Sequence, residues 1–81
     1  MLQELTTRNK VVGVKQSRKA IAQDRAVKAF FAVDADPMLL DALRSSCEEK
    51  GIPVEQDFTC AELGRACQIS VGAAIVVLVR E

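Results

Sequence analysis

Two apolar segments constrain the fold of this chain more than any other feature of its sequence. Residues 26–34 read AVKAFFAVD and residues 73–80 read AAIVVLVR, both with few polar interruptions. A strand with one face in water alternates apolar and polar residues, whereas a strand covered on both faces is almost continuously apolar. The two segments therefore predict buried strands of an α/β protein, with Phe30 and Phe31 inside.

Start and stop signals frame a helix between these segments. Asp36 can cap the helix, Pro37 suits its first position and Gly51 suits its C-terminal end. A capping box formed by Thr59 and Glu62 predicts a second helix further along the chain. The apolar stripe of the first of these helices is predicted to contain Leu39, Leu40, Leu43 and Cys47.

The N-terminal part of the chain carries weaker patterns. LQELTTR, residues 2–8, predicts a short amphipathic helix, and KVVG, residues 10–13, predicts a short strand. Residues 15–24 place Ala20 and Ile21 within a polar, cationic pattern and predict another helix.

The remaining segments complete an alternation of helices and strands. IPVEQD, residues 52–57, predicts an edge strand because Pro53 cannot donate to a neighbouring strand. Gly64 and Gly72 predict a helix bend or close-packing site and a turn. The order αβαβαβαβ predicts one domain over residues 1–81, with a central sheet that has helices on both faces.

The sequence offers little that an enzyme could use. It has no histidine, so the usual general base at neutral pH and the commonest metal ligand are absent. The serines have no evident base, and no GxGxxG or Walker pattern is present. Asp34 and Asp36 could form a carboxylate pair, but a turn role for Asp34 and helix capping by Asp36 explain them better. We expect no catalytic residue, no cofactor and no metal.

The cysteines indicate the compartment. An odd number of them, without CxxC spacing, argues against a disulfide framework or a zinc site. No apolar run reaches the roughly 20 residues of a membrane span, and MLQELTTRNK lacks the apolar core of a signal peptide. The three cysteines are Cys47, Cys60 and Cys67. We expect a cytoplasmic protein in which these thiols are reduced and two or more of them lie in the core.

A cationic helix start stands out in a chain of zero formal net charge. The segment GVKQSRKAI places Lys15, Arg18 and Lys19 just after a glycine, although the N-terminal end of a helix favours anions. Residues 1–28 hold seven basic and two acidic residues, whereas residues 29–81 hold four and nine. Either the cations lie on a solvated helix face, or they form one face that opposes an anionic partner.

Nucleic acid is the anion that fits best. Binders of single strands stack bases on aromatic side chains, but this chain has only three phenylalanines and two of them lie in a buried segment. The remaining mode of binding is a phosphate backbone that approaches a cationic helix start. Backbone N–H groups and Lys or Arg side chains would then bind it together.

Four motifs, in order along residues 9–80, carry a resemblance to a known family. They are GVKQSRKAI, VDADP, CEEKGIPV and ELGRACQISVGAA. In this order they resemble the bacterial branch of the L7Ae-type ribosomal protein family, which binds kink-turn RNA. The resemblance implies a three-layer α/β/α sandwich with a small central mixed sheet of about four strands. It also implies a partner, a sharply bent duplex whose kink is flanked by sheared G·A pairs.

The resemblance assigns roles at the helix start. The family motif has glycine, a variable residue, Asn, Glu, two variable residues and Lys. Gly13 and Lys19 match it, while Lys15 replaces Asn and Gln16 replaces Glu. By similarity Lys15 and Gln16 would reach guanine edges, and Lys19 would hold phosphate or base edges. The expected RNA-binding residues of this segment are Gly13, Val14, Lys15, Gln16, Arg18 and Lys19.

A second contact implied by the resemblance is an apolar loop that covers a flipped-out nucleotide. Its expected residues are Ile69, Ser70, Val71, Gly72 and Ala73. Ile69 and Val71 should be partly exposed, because they would cover a nucleotide rather than fill the core.

The sequence thus predicts a monomeric kink-turn RNA-binding protein, associated with the ribosome or directed to a riboswitch. Two alternatives stay open: a protein–protein interaction module of the same fold, whose basic face docks an acidic partner, and a small enzyme. A shallow salt dependence without preference for kinked RNA would favour the first. Turnover that survives Lys15→Ala and Lys19→Ala would favour the second.

Overall fold

The computed structural model describes residues 9–80, in which strands and helices alternate. The elements are β1 Lys10–Val12, α1 Val14–Ala22, β2 Ala26–Ala32, α2 Pro37–Lys50, β3 Val54–Phe58, α3 Cys60–Ala66 and β4 Ile75–Val79. The helix expected over residues 2–8 lies outside the described residues.

The strands form one mixed sheet in the order β1-β4-β2-β3. β4 runs antiparallel to both of its neighbours, β1 and β2, whereas β2 and β3 are parallel. The register pairs Val12 with Val76 and Phe31 with Ile75. β3 lies at an edge, as Pro53 predicts, and the small mixed sheet is confirmed.

Two apolar clusters cover the two faces of the sheet. On one face Phe31 packs with Ile21 of α1 and Leu43 of α2. On the other face Phe30 packs with Leu63 of α3. Neighbouring strand residues point to opposite faces, which is why adjacent phenylalanines serve different clusters. The three-layer α/β/α sandwich is therefore confirmed, with α1 and α2 on one side and α3 on the other.

The local helix signals act as the sequence predicts. Asp36 Oδ1 accepts a hydrogen bond from the N–H of Met38 at 2.9 Å. Gly51 ends α2 with φ 67°, in the left-handed region. In the capping box of α3, Thr59 Oγ1 accepts from the N–H of Glu62 at 3.2 Å, and Glu62 Oε1 accepts from the N–H of Thr59 at 2.9 Å.

Two details of the buried segments differ from expectation. Leu39 was predicted to lie in the core stripe of α2, but it is 52% exposed. The buried side of α2 is formed by Leu40, Leu43 and Cys47, and Leu39 lies about 100° around the helix from Leu40, outside this side. The strands are also shorter than predicted: β2 ends at Ala32 and β4 begins at Ile75, because the chain turns away from the sheet to enter α2 and to leave the loop after α3.

Candidate nucleic-acid interface

The carboxyl ends of β1, β2 and β3 meet the N-termini of α1, α2 and α3 at one edge of the sheet. β1 and β2 both run antiparallel to β4, and β3 runs parallel to β2, so these three strands point the same way. Each is followed directly by a helix. We call this the C-terminal edge. Open α/β sheets bind ligands outside the carboxyl ends of their strands, and helix N-termini attract anions.

Gly13 begins α1 with φ 100° and ψ 159°, a backbone conformation that favours glycine. Its N–H donates to the carbonyl oxygen of Ile75 at 3.0 Å, and its carbonyl oxygen accepts from the N–H of Ser17 at 3.0 Å. Half-buried Val14 packs against the α1–α2 cluster. No side chain caps α1, and no acidic residue lies in its first turn. The first N–H groups of a helix have no partner within it, so this end offers donors to an external anion.

The exposed side of α1 is cationic. Buried Ser17, Ala20 and Ile21 fix which side of the helix faces the protein. Among the ion pairs between described residues, none involves a cation of α1, whereas Lys50 pairs with Asp24. The helix therefore carries positive charge that no described carboxylate neutralises. Its exposed polar residues include Lys15, Gln16, Arg18 and Lys19.

Carboxylates already occupy the starts of the other two helices. Asp36 caps α2, and Glu62 completes the capping box of α3. Asp34 Oδ1 also accepts a hydrogen bond from the N–H of Cys60 at 2.7 Å, and this bond lowers the pKa of the Asp34 carboxyl group. Among the helices of residues 9–80, α1 is thus the one whose start combines uncapped N–H groups with cations.

The expectation of one cationic face is wrong for Lys28. Its Nζ lies 5.0 Å from the centroid of the Phe30 ring, on the α3 side of the sheet. The same atom lies 3.9 Å from Glu55 Oε2. Strand side chains alternate between faces, so Lys28 points away from the side that α1 covers. The basic residues of the N-terminal third are therefore divided between two faces of the protein.

The loop between α3 and β4, residues 67–74, lies close against α3. The N–H of Ile69 donates to the carbonyl oxygen of Gly64 at 3.1 Å. A Cβ on Gly64 would overlap the carbonyl oxygen of Val71, so glycine is needed for this approach. The close-packing role predicted for Gly64 is confirmed.

The loop exposes its apolar residues. Ile69 is 38% exposed and Val71 is 68% exposed, as expected for residues that do not fill the core. Ala73, in contrast, is buried in the cluster beneath α3, so its side chain anchors the loop and offers no surface. A shallow concavity of about 260 Å³ opens at the loop, lined by Ala61, Arg65, Ile69, Ser70, Val71 and Gly72.

The helix start and the end of the loop both lie beside the start of β4, at the C-terminal edge. The bond from Gly13 to Ile75 places the start of α1 beside the first residue of β4. On the other side of β4, the N–H of Ala32 donates to the carbonyl oxygen of Ala74 at 2.9 Å. The end of the loop therefore lies between the carboxyl ends of β1 and β2. The structure thus brings together two segments that are distant in sequence.

The connection between β2 and α2 also belongs to this edge, which its sequence did not indicate. Cys60 donates to Asp34 through its N–H, and its carbonyl oxygen accepts from the N–H of Ala73 at 3.0 Å. The connection and the loop are therefore both held by hydrogen bonds to the backbone of Cys60. Val33 and Met38 are 50% and 85% exposed. Val33 belongs to the segment predicted to be a buried strand, but β2 ends at Ala32 and leaves Val33 exposed.

The cysteine thiols among the described residues are poorly suited to nucleophilic chemistry. Burial raises the pKa of the Cys47, Cys60 and Cys67 thiols, which keeps them protonated and poorly nucleophilic at neutral pH. Cys47 and Cys67 are buried, as predicted.

Within residues 9–80 no group of three or more potential ligands is arranged to hold a metal ion. A search of the same residues finds no helix with the length and apolar character needed to cross a membrane.

The sequence profile of the ribosomal protein L7Ae/L30e/S12e/Gadd45 family matches residues 2–81. The chain belongs to this family. The resemblance carried by its four motifs is therefore confirmed at the level of the family, and the match extends over almost the whole chain.

Relatives of this L7Ae-family protein are similar over most of their length. An RNA-binding protein of Geobacillus sp. (strain WCH70) is 39% identical over 70 residues, which cover 86% of this chain and 85% of the relative. An RNA-binding protein of Caldanaerobacter subterraneus subsp. tengcongensis is 42% identical over 65 residues, covering 80% of this chain and 79% of the relative.

Solved structures share the fold. The Giardia lamblia 15.5kD RNA binding protein superposes with a TM-score of 0.87 at 26% identity, covering 99% of this chain and 68% of that one. A Bacillus halodurans protein of unknown function superposes with a TM-score of 0.85 at 21% identity, covering 95% of this chain and 77% of that one. The second likeness concerns the fold alone.

Proposed function

We propose that this L7Ae-family protein binds structured RNA and recognises kink-turns within it. The observation that carries the proposal is the start of α1, where uncapped N–H groups and cations face solvent without a described carboxylate. Relatives from two bacterial genera and the Giardia protein are named as RNA-binding, which supports RNA as the anion. The α1 start and the loop, residues 67–74, together form the binding surface.

A kink explains how a helix end can reach base edges. The major groove of A-form RNA is too deep and narrow for side chains to read. A sharp bend opens the groove, so the first turn of α1 can enter. Lys15 can donate to guanine acceptors, while the Gln16 amide can both donate and accept. Lys19 lies one turn further along the helix and would hold phosphate or base edges.

The loop supplies the second half of the recognition. A flipped-out nucleotide has lost its stacking partners, and exposed apolar side chains can cover it. Ile69 and Val71 are exposed without being needed in the core, and the concavity beside them is open to solvent. Because the loop ends beside Gly13, one bent RNA can contact both segments at once.

The proposal includes the cellular setting. The protein acts as a monomeric RNA-binding domain in the cytoplasm, and its RNA is a kink-turn in ribosomal RNA or in a riboswitch. Crosslinking in cells, followed by sequencing of the bound RNA, distinguishes these two targets.

Lys19→Ala should weaken binding to a kink-turn RNA by about 1–3 kcal/mol, because it removes a charge-assisted hydrogen bond. The plot of log affinity against log salt should also become shallower by nearly one unit. Isothermal titration at several salt concentrations measures both changes. Lys28→Ala is the matched control, since Lys28 lies on the other face of the sheet, and it should change affinity little. Unchanged affinity in Lys19→Ala would remove this residue from the site, and a flat wild-type salt titration would argue against RNA.

Val71→Asp should lower the affinity for kink-turn RNA at least tenfold and leave the melting temperature nearly unchanged. The side chain is exposed, so the free energy of unfolding should change by only about 0.5 kcal/mol. The new carboxylate would instead repel phosphate and remove apolar cover from the nucleotide. Val27→Asp adds the same charge to another exposed valine, at the other end of β2, and should bind almost normally. If calorimetry shows that Val71→Asp unfolds the protein, Val71 is a core residue and the loop assignment fails.

A further inference from the structure

The connection between β2 and α2 holds both ends of the segment that comprises α3 and the loop. The N–H of Val33 donates to the carbonyl oxygen of Phe58 at 2.8 Å, just before this segment begins. The N–H of Ala32 donates to the carbonyl oxygen of Ala74 at 2.9 Å, where the segment ends. The next residue along the chain, Asp34, adds a bond from its side chain.

Asp34 reaches the start of α3. Its Oδ1 accepts from the N–H of Cys60 at 2.7 Å, and the Cys60 thiol donates to the same carboxylate. These bonds lower the pKa of the Asp34 carboxyl group, so it is ionised at neutral pH. Hydrogen bonds to an ionised group are shorter and stronger than those between neutral groups. The start of α3 is thereby tied to the end of β2 by a side chain that is distant in sequence.

Cys60 in turn holds the loop. Its carbonyl oxygen accepts from the N–H of Ala73 at 3.0 Å. A Cβ on Gly72 would lie 3.2 Å from the Cβ of Cys60 and 3.3 Å from its carbonyl carbon and oxygen, so the loop backbone packs closely here. Val71, the most exposed large apolar residue of the loop, comes directly before this contact. A continuous series of contacts therefore leads from Asp34 to the apolar surface of the loop.

The charge of Asp34 makes its role distinguishable from a general electrostatic effect. The side chain is exposed at the C-terminal edge, where the proposed function places RNA. An exposed carboxylate at this edge repels phosphate, so electrostatics alone predicts tighter RNA binding when it is removed. A contribution that acts through the position of the loop has the opposite sign.

We propose that Asp34 is a positioning residue: through Cys60 it holds the loop where Val71 covers the flipped-out nucleotide. The proposal rests on the proposed function, since it takes the loop to contact that nucleotide. Asp34 itself contacts no base. Its effect is preorganisation, because a loop that is already ordered loses less conformational entropy when RNA binds. The contacts of the α1 start do not depend on it, since that segment is bonded to β4 instead.

The test compares variants of Asp34 on two RNAs. One is a kink-turn RNA, and the other is the same RNA with an abasic sugar at the flipped-out position, which gives the loop no base to cover. Asp34→Ala should bind the kink-turn RNA about fivefold to tenfold more weakly than wild type, because one positioning hydrogen bond is lost. It should bind the abasic RNA as tightly as wild type does, or more tightly, because a negative charge is removed.

Two variants are matched controls. Asp34→Asn removes the same charge but keeps an oxygen that can accept from the N–H of Cys60, so it should bind the kink-turn RNA as wild type does. Asp41→Ala removes an exposed carboxylate of α2 and should not weaken binding. Amide exchange measured by NMR reports on the loop directly. In Asp34→Ala the N–H of Ala73 should exchange faster, while the N–H of Gly13 should exchange at its wild-type rate.

Four results would overturn the inference. The first is undiminished affinity of Asp34→Ala for the kink-turn RNA, and the second is an equal loss of affinity for both RNAs. The third is the same loss in Asp34→Asn, because charge rather than the hydrogen bond would then be responsible. The fourth is unfolding of Asp34→Ala at room temperature, since the carboxylate would then support the whole domain and not the loop in particular.

The preference of the wild-type protein for kinked over fully paired RNA is measured in the same series. Its absence would overturn the proposed function. Its presence together with any of the four results above would overturn the role of Asp34 alone.

Discussion

Gly64→Val should destabilise the fold by about 3 kcal/mol and lower the melting temperature by roughly 12 °C or more. A Cβ at this position would overlap the carbonyl oxygen of Val71 and crowd the Cα of Gly72. Both are backbone atoms of the loop, so no side-chain rotation relieves the overlap. α3 or the loop has to move, and the helix propensity gained on replacing glycine offsets less than about 1 kcal/mol.

Ala61→Val is the matched control for this substitution. Ala61 lies in the same helix, but it is exposed. The change should therefore cost no more than about 0.7 kcal/mol, through helix propensity alone. Chemical denaturation of both variants measures the difference. A Gly64→Val variant as stable as wild type would mean that the loop does not approach α3 this closely, and the reason for the exposure of Ile69 and Val71 would be lost.

Much of the fold could be predicted because its signals are local. Asp36 and Gly51 bracket α2, and the Thr59–Glu62 box begins α3, through bonds between near neighbours in sequence. The buried strands could be predicted because both faces of the sheet are covered, which makes their sequences almost continuously apolar. Leu39 shows the limit of this reasoning. Its side chain is apolar and adjoins Leu40 in sequence, but it lies on the exposed side of α2.

The candidate site was predictable residue by residue but not as an arrangement. The family resemblance singled out the helix start and the loop. Their proximity depends on the bond from Gly13 to Ile75, the residue that follows the loop, and these two residues are distant in sequence. The anchoring of the loop through Cys60 and Asp34 depends likewise on a bond across the sheet edge. Charge counting along the chain was also incomplete, because the alternation of strand side chains places Lys28 on the other face.

The kink-turn proposal makes the strongest prediction about binding. Two RNAs of equal length and charge should bind very differently if one carries a kink-turn with tandem sheared G·A pairs and the other replaces them with Watson–Crick pairs. Phosphate contacts do not separate the two. Loss of base-edge contacts costs about 1–3 kcal/mol each, the paired duplex has to bend, and it presents no flipped nucleotide to the loop. We expect at least a roughly hundredfold preference, about 2.7 kcal/mol.

Two variants distinguish the contacts to base edges, which should create this preference, from the contacts to phosphate, which should not. Gln16→Ala should reduce the preference, because the amide is expected to reach a guanine edge that only the kinked RNA exposes. Arg18→Ala should lower the affinity for both RNAs together, because a contact to phosphate is indifferent to the pairs at the kink. Both side chains are exposed on α1, so neither change should affect folding strongly.

The most direct measurement is a competition titration of the wild-type protein with these two RNAs at physiological salt. The account predicts that the kinked RNA displaces the fully paired one at a hundredfold lower concentration or less. Equal competition by the two RNAs would leave a basic RNA-binding surface on α1 and would contradict recognition of the kink.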